Sequence, residues 1–187
     1  MSSELTGLDI LFMINRARRQ SGGENLIWQN NMHNMAISLT EQLKQGVDVT
    51  AKAAYAPLIA ASPVLNLYQN YQVASATYEG AWIPDDVIIG NLVAALQANQ
   101  KEQKAGVGVS RVPGTAKDEK DKYYLAVVVA EDLPDNELSA RLVFNYINDY
   151  REEKGLAALL WSDSIQEAAL AQTEALAAGT ETEGDAS

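Results

Sequence analysis

A stretch of 33 residues that occurs twice constrains this chain more than any other feature. Ile14 to Gly46 reads INRARRQSGGENLIWQNNMHNMAISLTEQLKQG, and Ile147 to Gly179 reads INDYREEKGLAALLWSDSIQEAALAQTEALAAG, 133 residues later and without a gap. Asn15 falls on Asn148, Arg18 on Arg151, Gly22 on Gly155, Leu26 on Leu159, Trp28 on Trp161, Ala36 on Ala169, Thr40 on Thr173, Leu43 on Leu176 and Gly46 on Gly179. Upstream, Glu4-Leu5-Thr6 faces Glu137-Leu138-Ser139. The spacing is too long for a solenoid unit and matches the length of a domain. Whatever the first copy begins to build, the second begins again.

With 187 residues, 47% of them hydrophobic, the chain can bury the core of one domain and has roughly 50 residues to spare. The expected division is a first domain over 1–132, a helical partial second repeat over 133–179, and a disordered acidic tail over 180–187. A net charge of −11 repels a phosphate backbone, and the lysines and arginines form no stripe, so nucleic acid is excluded as a partner. There are no cysteines, which rules out a disulfide frame or a thiolate site. Apolar runs fall short of the roughly 20 residues of a membrane span. The opening residues lack the pattern of an export signal, and with the missing cysteines this favours an intracellular location.

Apolar spacing predicts a helix over 4–20 with Ile10, Leu11, Ile14 and Ala17 inward, ended by Gly22-Gly23. A short link carries Leu26, Ile27 and Trp28 inward, and a second helix is expected from Asn30 to Gln45 with Met32, Met35, Ala36, Leu39 and Leu43 on one face. Alanine-rich 47–69, broken by Pro57 and Pro63, reads as a loop with a short helix near Val64 to Tyr68. Tyr71 to Tyr78 alternates like a strand. Pro84-Asp85-Asp86 starts a helix to about Gln100, with Ile88, Leu92, Ala95 and Leu96 inward. Gly106 to Val112 and Tyr123 to Ala130 are strands, and the unbroken apolar run Leu125 to Val129 suits a strand covered on both faces. Pro134-Asp135-Asn136 starts the repeated helix.

This order of elements resembles the CAP superfamily, also called the SCP or pathogenesis-related-1-like family. The likeness rests on Ile14-Asn15, Arg18, Gly22, Leu26 and Trp28, on Ile147-Asn148, Arg151, Gly155-Leu156, Leu159 and Trp161, and on the strand Gly106-Val107-Gly108-Val109. It implies an α+β fold, a three-layer α-β-α sandwich followed by the first helices of a second copy. Typical members line a cleft with two histidines and two acids that hold a divalent metal. This chain departs from that pattern: its one histidine, His33, precedes the usual position, Tyr71 stands where the family has a glutamate, and Lys101-Glu102-Gln103-Lys104 stands where the second histidine would be. No catalytic residue, metal ligand or cofactor is therefore expected.

Arg18 and Arg151 are expected to tie their helices to a nearby carbonyl or acid, Trp28 and Trp161 to anchor cores, and Asp85 and Asp86 to cap a helix rather than act as a catalytic pair. Tyr68, Tyr71, Tyr78 and Trp82 bracket the region where the family cleft opens and form a candidate groove. Phe144, Ile147, Leu159, Trp161 and Ile165 form a candidate assembly surface that a complete domain would cover. The expected function is a non-catalytic binding or assembly module acting through a protein partner or self-association. The alternatives are a carrier of a sterol or fatty acid walled by Val64, Leu65, Leu67 and Tyr68, and, behind it, a metal-dependent hydrolase.

Overall fold

A computed structural model describes residues 6–96 and 103–179. The chain divides into two compact units, Met1–Arg141 and Leu142–Ser187. The expected acidic tail, the start of the first helix at Glu4 and the segment Lys101-Glu102 lie outside the described residues.

The first unit is α+β. Helix α1 (Gly7–Gln20) starts at a capping box in which Thr6 and Asp9 exchange bonds, and it ends at Ser21. The chain turns back through Gly22 at a φ of 83°, with the Gly22 and Gly23 amides donating to the Arg19 and Arg18 carbonyls. Glycine takes that left-handed conformation without a Cβ clash. Strand β1 (Leu26–Trp28) follows, then α2 (Asn30–Lys44), whose first turn is capped by the Gln29 side chain.

The interval read from sequence as a loop contains a helix, α3 (Lys52–Ala60), with Pro57 inside it. Proline removes one backbone donor and strains the preceding turn, but the surrounding alanines are strong helix formers. A 3₁₀ turn (Leu65–Leu67) then leads into β2 (Tyr68–Glu79), longer than expected and interrupted at Asn70, where φ is 54°. Helix α4 (Asp86–Ala95) is capped by Asp85, whose carboxylate accepts from the Ile88 amide. Its inward face is turned one residue from the predicted one: Ile89, Leu92, Val93 and Leu96 are buried, while Ala95 is exposed. Strands β3 (Gln103–Val112) and β4 (Lys122–Asp132) complete the sheet.

The four strands lie in the order β1-β3-β4-β2. β1 runs parallel to β3, and β4 pairs antiparallel with both β3 and β2. Because side chains alternate along a strand, β4 feeds two cores. Leu125, Val127 and Val129 meet α1 and α4 on one face, and Ala126, Val128 and Ala130 meet α2 and α3 on the other. Three layers follow, helices on sheet on helices.

Gly106 and Gly108 of β3 explain how close α2 comes to the sheet. A Cβ on Gly106 would collide with the Met32 and His33 backbone, and one on Gly108 would stand 2.5 Å from the Ala36 carbonyl carbon.

The second unit is helical. Helix α5 (Asp135–Glu153) begins in the first unit and ends in the second, where α6 (Asp163–Ala177) follows. The turn between them repeats the earlier chemistry, with Gly155 at a φ of 70° and the Gly155 and Leu156 amides donating to the Glu152 and Arg151 carbonyls.

Candidate functional site

The repeated letters turn out to be a repeated set of hydrogen bonds. Asn15 grips the backbone of Leu26 from both sides: its Nδ2 donates to the Leu26 carbonyl at 3.0 Å, and its Oδ1 accepts the Leu26 amide at 2.7 Å. Asn148 does the same to Leu159 at 3.0 and 2.7 Å. Arg18 Nε donates to the Glu24 carbonyl at 2.9 Å, and Arg151 Nε to the Ala157 carbonyl at 2.8 Å. Both arginines thus do what the sequence led us to expect. One helix side chain accepts and donates at the first residue of the link, a second pins the chain two residues before it, and glycine supplies the turn.

The surroundings differ. In the first unit Ile10, Ile14, Leu26 and Met32 are at most 3% exposed. Their counterparts 133 residues on, Val143, Ile147, Leu159 and Ile165, are 59%, 41%, 43% and 71% exposed. No residue of α5 or α6 is buried. Within the second unit Phe144 and Trp161 meet edge to face at 5.0 Å, a favourable aromatic geometry, and the Trp161 indole donates to Asp163 at 2.9 Å. Leu160, which the sequence reading did not single out, is 93% exposed. Its counterpart Ile27 stands on β1, so the strand-like alternation of the link could have revealed it.

The four aromatic residues expected to wall one groove do not share a face. Tyr68 and Tyr71 pack into the core beneath α2 and α3, and the Tyr71 hydroxyl donates to the Leu65 carbonyl. Tyr78 belongs to the opposite core, stacked on Tyr123 at 5.1 Å and donating to the Trp82 carbonyl at 3.0 Å. Trp82 is 40% exposed. Burial pushes the Tyr78 phenol up to about 12, with Tyr123 adding to the shift, and moves the Tyr71 phenol further in the same direction. Both rings are packing residues with satisfied hydroxyls. An open recess of about 510 Å³ lies elsewhere, between the end of α2 and α3, lined by Gln42, Val47, Ala51, Ala54, Pro57 and Leu58 among others.

His33 is committed locally. Its Nδ1–H donates to the Val107 carbonyl at 2.7 Å, and its ring lies 4.7 Å from that of half-buried Trp28. Further along α2, Thr40 and Ser110 share a hydrogen bond at 2.9 Å, Ser110 donates to Glu41 at 3.0 Å, and Lys44 donates to Glu41 at 2.8 Å. The bonds from Lys44 and Ser110 hold the Glu41 carboxyl below its ordinary range. A carboxylate so stabilised is a poor proton acceptor. Among the described residues no group of three His, Cys, Asp or Glu side chains is placed to hold a metal, and no helix is long and apolar enough to cross a membrane.

No family model matches the chain, and no curated protein matches it. Among solved structures, an outer surface protein from Borrelia burgdorferi is similar over 71% of this chain and 100% of that one, at 11% identity and a TM-score of 0.39. A likeness at that level carries no argument about fold or function.

Proposed function

We propose that the chain is a CAP-like binding or assembly module without chemistry of its own, in which 133–179 forms a partial second copy of the opening of the fold and engages another protein. The observation that carries this reading is the contrast in exposure at matched positions. The hairpin at 142–179 keeps the internal hydrogen bonds of α1-β1-α2, yet presents to solvent the side chains that its counterpart buries. Burial of apolar area stabilises by about 25 cal/mol per Å² removed from water, so such a face favours a covering partner. The non-catalytic part draws support from His33, held between Val107 and Trp28, and from Glu41, held as a carboxylate by Lys44 and Ser110.

The test compares the immobilised full chain with an Ile165→Glu variant, both exposed to an extract of the cells that make the protein. A protein retained by the first and lost with the second supports the reading when, once purified, it binds the full chain saturably and at a fixed ratio. Identical retention by both, together with a monomeric full chain, removes it.

A second reading, an apolar small-molecule carrier, is favoured by one feature only, the recess between α2 and α3. Its lining is not the Val64 to Tyr68 segment suggested by sequence. Saturable uptake of a fluorescent fatty acid, reduced by Leu58→Asp, is what that reading requires; no uptake rejects it.

A further inference from the structure

The first unit shows what covers such a hairpin. Its β1 link lies parallel to β3, with the Gln29 amide donating to the Ala105 carbonyl at 2.8 Å. Its α2 rests directly on the glycine-bearing part of that strand, with Met32, His33 and Ala36 against the positions where Gly106 and Gly108 lack a Cβ. In the second unit the matching positions are Ser162 for Gln29, Ile165 for Met32, Gln166 for His33 and Ala169 for Ala36. A small residue is thus kept at 169, the counterpart of Ala36, which stands against Gly108.

Charge decides between a second copy and a different chain. Residues 142–179 carry six acids and two bases, a net −4. Two such units brought face to face repel each other. The strand pair that covers the first hairpin, Gln103 to Asp132, is neutral, with five bases and five acids.

Resting on the assembly reading above, we infer that the exposed face of 142–179 is a docking site for a β-strand pair of another polypeptide, one that carries glycines at alternate positions on the strand meeting α6 and has no net negative charge. The Ser162 and Leu160 backbone groups extend that sheet by parallel pairing, and Ile165 and Ala169 close over the glycines. Main-chain bonds then supply affinity, and the missing Cβ atoms supply selectivity.

The probe is a synthetic peptide with the sequence Gln103 to Asp132, added to the full chain, and the readout is amide exchange. Saturable slowing of exchange at Leu160 and Ser162 by about tenfold or more is the expected result. It should vanish with a peptide carrying Gly106→Val and Gly108→Val, and with a full chain carrying Ala169→Leu, a change at an exposed position that leaves folding intact. No slowing, or equal slowing with the valine peptide, overturns the sheet as occupant. If the Ile165→Glu comparison still distinguishes the two chains in that case, the binding module survives without the sheet. A full chain that is already dimeric in about 0.15 M salt, and monomeric as Ile165→Glu, makes a second copy the occupant and overturns the inference.

Discussion

At the scale of single residues, the paired asparagines make a controlled comparison. Asn15 and Asn148 form the same two bonds at the same lengths, but Leu26 is buried and Leu159 is 43% exposed. Removing one partner of a buried backbone group costs about 1–3 kcal/mol, because that group then has no water to turn to. Asn15→Ala should therefore lower the urea-unfolding free energy by roughly 2–3 kcal/mol. Asn148→Ala leaves groups that water can reach, so it should shift the same transition by less than about 0.5 kcal/mol. Equal losses would mean that the second hairpin is as buried as the first.

Burial of two tyrosines makes stability depend on alkaline pH. Tyr78 titrates from an ordinary value of 10.0 when unfolded to about 12 when folded. Between those values the folded chain holds a proton that the unfolded chain has released, so stability falls as pH rises. The Tyr78 contribution is constant below about pH 10 and is lost progressively towards about pH 12. Tyr78→Phe removes that proton and one hydrogen bond to Trp82. The variant should lose about 1 kcal/mol at about pH 8 and show a shallower decline in urea midpoint between about pH 10 and 12. A slope unchanged from the parent would show that other groups carry the alkaline loss.

At the scale of elements, the closest approach in the first unit is α2 on β3. Gly108→Ala places a methyl group 2.5 Å from the Ala36 backbone, where neither element can yield without disturbing its ladder. Overpacking of this kind costs about 1–3 kcal/mol, and thermal unfolding should report it as a lower Tm with secondary structure retained. The same elements show what the letters could convey. Caps and turn glycines act through nearest neighbours, so Asp85 and Gly22 mark helix ends in sequence and structure alike. Helix α3 was hidden because Pro57 is a strong local signal against helix, and weak alanine preferences outweigh it only when summed. The aromatic groove failed on parity. Tyr71 and Tyr78 are seven residues apart, an odd number, and alternation along β2 sends them to opposite cores. Tyr68 and Tyr71 are also an odd number apart, but the irregularity at Asn70 brings both to one face, and nothing local in the letters announces it.

At the scale of the whole molecule, charge and apolar surface oppose each other in 142–179. The apolar face favours association, while the net −4 on this short segment disfavours contact between copies. Salt separates the two, since the Debye length is about 8 Å at 0.15 M and about 3 Å at 1 M, whereas apolar burial does not weaken with added salt. The full chain should sediment as a monomer in dilute buffer and associate as sodium chloride approaches about 1 M. Leu160→Lys reduces the exposed apolar area and the negative charge together. If charge alone governed association, this variant should associate more readily than the parent. Our expectation is the reverse, because Leu160 is 93% exposed at the centre of the link and its loss removes contact area that screening cannot restore. Association in dilute buffer and its dispersal by salt would instead assign the contact to ion pairs, and the apolar face would no longer account for it.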